Sequence, residues 1–139
     1  MASRLNPYIG FKDNARQAME FYKEVFGGEL RINTFGEFGM EGPDADKVMH
    51  AMLEAPNGYT IMASDTPPEQ QFTPGSQISM SISGTEADEL RGYWEALSGK
   101  GGTVTVPFEK QMWGDEFGMC VDQFGISWMV NVVAEQQQG

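Results

Sequence analysis

The residues Met119–Asn131, MCVDQFGISWMVN, fall on Met52–Ser64, MLEAPNGYTIMAS, when shifted back by 67 positions. Gly125 then lies on Gly58, Met119 on Met52 and Met129 on Met62. A second match, Phe26-Gly-Gly-Glu-Leu30 on Lys100-Gly-Gly-Thr-Val104, carries an offset of 74. The chain therefore contains one unit twice, and the first copy has the longer loop before its third strand. A single sheet-bearing unit cannot bury both of its faces, so duplication constrains the fold more than any local propensity does.

Taken in order, Asn6–Phe11 reads as a short strand, early or at an edge because Pro7 cannot donate to a ladder. Asp13-Asn14 supplies an N-cap, and Gln17 completes a capping box if Asn14 is the cap. Ala15, Ala18, Met19, Tyr22, Val25 and Phe26 follow at helical spacing, and Gly27-Gly28 ends the helix. Glu29–Thr34 is a second strand and Phe35–Asp46 a Gly-rich, acidic loop. Lys47–Ala55 and Tyr59–Ser64 form a hairpin around Asn57-Gly58. In the second half, Gln77–Ser83 alternates, with Ile78, Met80 and Ile82 on one face and Gln77, Ser79, Ser81 and Ser83 on the other. Thr85 caps a helix with Asp88 three residues on, and its apolar stripe is Ala87, Leu90, Trp94 and Leu97. Strands at Thr103–Phe108, Glu116–Val121 and Ile126–Val133 complete the copy. Each half is β-α-β-β-β: module one at 5–64, a Pro-rich linker at 65–75, module two at 76–133 and a disordered tail at 134–139, all within one domain.

Composition removes several function classes. The 20 acidic against 9 basic residues leave a net charge of −11, which opposes a nucleic-acid face and an anionic membrane surface. No run of apolar residues is long enough to span a bilayer, and no leader precedes the first strand, so a cytoplasmic protein is expected. The lone Cys120 sits in an apolar strand and reads as a small buried hydrophobe.

A duplicated β-α-β-β-β unit resembles the vicinal oxygen chelate superfamily, which includes glyoxalase I, bleomycin resistance proteins and extradiol dioxygenases. The wording of Tyr8-Ile-Gly-Phe-Lys-Asp-Asn-Ala15, Glu20–Gly28, Val48-Met-His50, Met62-Ala-Ser-Asp65 and Trp113-Gly-Asp through Asn131 is similar to its PhnB-like branch, labelled 3-demethylubiquinone-9 3-methyltransferase-like. The chain has no Gly-rich strand-to-helix loop of the kind that holds S-adenosylmethionine, so the label is a poor guide to chemistry. The resemblance implies an α+β fold, two tandem βαβββ modules forming a curved eight-stranded sheet around a cleft with helices outside, and a homodimer. It also implies, for metal-using members, four ligands from the first and last strands of each half holding a divalent ion that stabilises an oxyanion or enediolate.

Strand parity and the turn glycines place Asn6, Met62, Gln77 and Met129 at those four positions. Two amides and two thioethers are not a donor set for Zn, Ni, Mn or Fe(II), so no family-type metal and no cofactor is expected. His50 is the remaining acid–base candidate, with the Asp115-Glu116 pair as the best guess for an orienting carboxylate. Tyr8, His50, Met62, Gln77, Ser79, Trp113, Phe117, Met119 and Met129 are the candidate ligand-binding residues. The first reading is a dimeric protein binding a small apolar or aromatic molecule in the cleft, as bleomycin resistance proteins do without chemistry. The rival readings are a metal-dependent lyase, isomerase or dioxygenase using a non-standard site with His50, and a non-catalytic interaction module whose cleft is filled by methionines.

Overall fold

The computed structural model describes residues 3, 5–67, 71–75 and 77–134. The expected tail lies outside them except for Ala134, as do part of the expected linker (68–70) and Ser76. The chain divides into two compact units, Met1–Thr73 and Pro74–Gly139. Among the described residues, eight strands and two α-helices of four turns or fewer appear in the expected order, with a short 3-10 turn at Gly36–Phe38, and the strands form two four-stranded mixed sheets, one per unit.

Unit 1 contains β1 (Tyr8–Phe11), α1 (Ala15–Phe26), β2 (Glu29–Thr34), β3 (Val48–Glu54) and β4 (Thr60–Asp65). Its sheet order is β1-β4-β3-β2, with β1 parallel to β4 and the other pairs antiparallel. The helix packs on β3, β2 and β4 and buries Ala15, Ala18, Met19, Tyr22 and Phe26, whose spacing draws one stripe down its length. Beneath it lie Ala51, Leu53, Ile61 and Ala63. Each large apolar side chain withdrawn from water here contributes about 1.5–3 kcal/mol. Gly27 and Gly28 take φ of 75° and 98°, and a Cβ on Gly28 would sit 2.1 Å from the Glu54 carbonyl oxygen, so the turn after the helix requires glycine.

The helix is not capped by its own sequence. Asn14 occupies the N-cap position without a side-chain cap bond, so the capping box with Gln17 does not form. Instead Asp65, only 2% exposed at the end of β4, accepts the Ala15 N–H on Oδ1 at 3.0 Å and the Val48 N–H on Oδ2 at 2.9 Å. A carboxylate at a helix N-terminus also opposes the positive end of the dipole. β4 thus runs through Asp65, one residue past the expected strand, and that residue belongs to the fold rather than to the linker.

Unit 2 contains β5 (Met80–Gly84), α2 (Ala87–Ser98), β6 (Thr103–Lys110), β7 (Glu116–Val121) and β8 (Ser127–Val132), in sheet order β5-β8-β7-β6. The copies agree residue by residue. Met52 pairs with Met62 as Met119 pairs with Met129, and Leu53 with Ile61 as Cys120 with Trp128. The two hairpin turns share one bonding pattern: Ala55 N–H to Tyr59 O and Gly58 N–H to Ala55 O, against Asp122 N–H to Ile126 O and Gly125 N–H to Asp122 O. Gly58 and Gly125 both take positive φ, at 88° and 87°.

Three local expectations fail in unit 2. β5 begins at Met80, so Gln77, Ile78 and Ser79 precede the strand, and Ile78 is 84% exposed. Alternation in the sequence had no ladder partner there, because β8 pairs only from Trp128 opposite Met80. Thr85 does not cap α2: Glu86 holds the N-cap position without a side-chain bond, while Asp88 and Glu89 in the first turn face the dipole. Tyr93, rather than Ala87, completes the buried stripe with Leu90, Trp94 and Leu97.

Replacing Asp65 by Ala strands two buried N–H donors of different segments. We expect a loss of about 3 kcal/mol, read as a lower denaturant midpoint at unchanged slope.

Candidate functional site

In each sheet the residues that alternate with the helix-facing set form an open face. On unit 1, Tyr8 pairs with Met62, Met62 with Met52 and Met52 with Arg31, one row across all four strands. His50 lies two residues before Met52 on β3, opposite Asn33. Tyr8 Oη sits 3.3 Å from His50 Nδ1, and the rings are 5.7 Å apart at 33°. β4 separates the strands of these two residues, so their rings meet across it beside Met62. Met52, Met62 and His50 are half-buried, and Tyr8 is 52% exposed.

A register irregularity between Asn33 and Thr34 resets the pairing at the start of β3. Val48 does not share a face with His50 and Met52. The pairing slips so that Val48 faces Thr34, and Val48 is buried with Ala51 and Leu53.

On unit 2 the corresponding row is Ser81, Met129 and Met119, continuing to Val106 on β6. Phe117, which takes the place of His50 in the repeat, pairs with Asn131 and Glu109. Trp113 is 60% exposed in the β6–β7 connection, its ring 6.3 Å from Phe117. Asp115 closes this region, accepting the Ala134 N–H at 2.8 Å and the Asn131 amide at 3.0 Å. These donors, the Ala134 amide foremost and Asn131 next, hold its carboxyl below the ordinary range against a smaller opposing effect of desolvation. Glu116 points to the helix face, where Arg91 binds it in a two-point fork at 2.9 and 2.5 Å. Both carboxylates once considered for His50 are therefore held inside unit 2, and the contact His50 makes is with a phenol of its own unit.

Of the sequence candidates, the structure brings Tyr8, His50 and Met62 together on one face, and Met119, Met129 and Phe117 on the other unit's face. Gln77 and Ser79 stand before β5, and Asn6 before β1, where it lines a shallow hollow of about 270 Å³ with Glu54, Gly58 and Thr60. A larger open hollow, about 600 Å³, lies between α1 and β2 over Glu20, Lys23 and Ile32, away from these residues. Met52 and Ser81 were missed. The repeat already placed Met52 under Met119, while Ser81 follows from the parallel β5–β8 register, which spacing alone does not give. The cross-strand partners of Met62 and Met129 are thus Tyr8 and Ser81.

A phenol, a hydroxyl and thioethers do not suit a hard divalent ion. Among the described residues no group of three His, Cys, Asp or Glu could hold a metal. Cys120 is buried, and burial with the nearby Asp122 pushes its thiol up to about 11, so it is no nucleophile.

The model of the 3-demethylubiquinone-9 3-methyltransferase family matches residues 3–131. The chain belongs to that family. It is 33% identical to protein PA1353 of Pseudomonas aeruginosa, at a TM-score of 0.84, covering 98% of this chain and 100% of that one. A putative 3-demethylubiquinone-9 3-methyltransferase, PhnB protein, of Bacillus cereus is 23% identical at a TM-score of 0.71, with 92% and 98% covered. A glyoxylase/bleomycin resistance protein/dioxygenase domain from Frankia shares the fold at 16% identity and a TM-score of 0.64, with 95% and 98% covered. This family member thus has the glyoxalase/bleomycin-resistance fold. Its mixed sheets are unlike the doubly wound parallel sheet that cradles dinucleotides. Among the described residues no helix is long and apolar enough to cross a membrane.

The lowered carboxyl of Asp115 makes a signed prediction. A group whose folded pKa is depressed adds stability above its unfolded value and loses it as pH falls through the folded one. Asp115→Asn should melt below the parent at neutral pH. The gap should close as pH drops below the ordinary 3.8, which thermal melts across pH 7 to 2.5 would record.

Proposed function

We propose that this protein binds a small apolar or aromatic molecule on the open sheet faces, as a homodimer in the cytoplasm, and does so without the four-ligand divalent metal of metal-using relatives. The observation that carries the reading is the repeated methionine pair: Met52 against Met62, and Met119 against Met129, on the face opposite the helix in each unit. All four are half-buried, so each pair gives its own unit an apolar floor that solvent reaches. Methionine is unbranched and polarisable, and it reshapes around differing ligands at little cost. Tyr8 and His50 border the floor of unit 1 with polar groups, and Ser81 and Asn131 that of unit 2, the usual composition of a small-molecule site.

The family name does not transfer an activity. Methyl transfer would need a cradle for S-adenosylmethionine, and the fold offers sheet faces instead of a strand-to-helix phosphate or adenosyl loop.

A thermal-shift panel of small aromatic and aliphatic compounds, with polar molecules of equal size as controls, tests the reading. At a hundredfold excess over Kd a binder adds about 2.7 kcal/mol, on the order of 10 °C for a chain of this length. Combining Met62→Glu with Met129→Glu should abolish the shift, and the corresponding double alanine variant should weaken it. A panel in which nothing raises Tm, or in which both variants respond like the parent, would overturn the proposal.

A further inference from the structure

The thioethers that do not suit a hard divalent ion have a different preference of their own. Thioethers are soft ligands, and with imidazole they select soft monovalent ions. Met52 and Met62 are direct cross-strand partners, which places their Cβ atoms about 5 Å apart. Three rotatable bonds let both sulfurs turn toward one point above the sheet. His50 is on the same face, one pleat along β3 from Met52. Its Nδ1 lies 3.3 Å from Tyr8 Oη. In the tautomer whose Nδ1–H donates to that oxygen, Nε2 is bare and able to ligate. Metal-binding histidines commonly have their second nitrogen held in this way. Because the two rings meet across β4, the imidazole is drawn toward Met62 rather than away from it.

The second unit provides an internal control. Met119 and Met129 repeat the thioether pair at equivalent ladder positions, but Phe117 replaces His50 and Ser81 replaces Tyr8. Two thioethers without the imidazole make an incomplete set. We infer that unit 1 holds one site for a soft monovalent cation, Cu(I) or Ag(I), ligated by the Met52 and Met62 sulfurs and His50 Nε2.

This inference does not depend on an organic ligand, so the two readings fail separately. The test uses the untagged full chain with Cys120→Ala, which removes the one thiol. Silver nitrate is titrated calorimetrically in chloride-free buffer, and the ring nitrogens of His50 are followed by 15N NMR. Cu(I) is measured anaerobically against bicinchoninate. One tight equivalent per chain is expected, with Nε2 shifting more than Nδ1. Met52→Leu, Met62→Leu and His50→Ala should each weaken it at least tenfold, while Met119→Leu and Met129→Leu should leave it unchanged. The leucine variants conserve volume, so they separate a lost ligand from a lost fold. The inference is overturned by the absence of saturable binding, by equal binding in His50→Ala, or by equal losses from the unit 2 variants.

Discussion

The arrangement of unit 1 depends on one buried carboxylate. Asp65 ends β4, caps α1 through the Ala15 N–H and receives the Val48 N–H at the start of β3. Three segments far apart in sequence are thereby fixed against one another. Thr66 then returns both its N–H and its hydroxyl to the Phe11 carbonyl, closing β1 against the same strand end. With β4 pinned at that end, parity puts Met62 on the opposite face, three residues upstream, beside Tyr8 and Met52. The chemistry of the open face is thus set by a contact on the hidden one.

Unit 2 reaches the same register by other means. The position equivalent to Asp65 is Val132, an apolar residue. Its buried carboxylate is Asp122, at the other end of the hairpin, accepting the Phe124 and Ile126 N–H groups and the Trp128 indole. Among the described residues no buried side-chain nitrogen or oxygen lacks a partner, so both carboxylates are fully accommodated. The helix–sheet contact here rests on an aromatic stack: Trp94 lies on Phe108 at 5.2 Å, and a Cβ on Gly118 would lie 2.9 Å from both. Two copies with one topology have therefore diverged in what secures them, and in whether a histidine or a phenylalanine stands beside the methionine pair.

Much of this was legible in the chain. Gly58 and Gly125 fixed the repeat, and the repeat fixed the β3–β4 and β7–β8 ladders, because a shared offset of 67 keeps their cross-strand pairs in register. What the sequence hid were contacts that couple strands without local periodicity. The parallel register of β1 on β4, which sets Tyr8 opposite Met62, has no local signal in the sequence. A slip at Asn33 and Thr34 turned Val48 inward. The apolar Ile78 followed a clean alternation yet had no strand to pair with. The cap of α1 came from Asp65, fifty positions away, where no local motif could announce it.

We propose that the methionine-floored sheet faces, and not the packed interior, receive the ligand. The most direct measurement is the 13C-methyl methionine spectrum of the protein during titration with an apolar compound that raises its Tm. Shifts are expected at Met52 and Met62, Met119 and Met129, or both pairs, with Met19, a wholly buried residue of α1, unmoved. Saturable binding that leaves both pairs unchanged would contradict it.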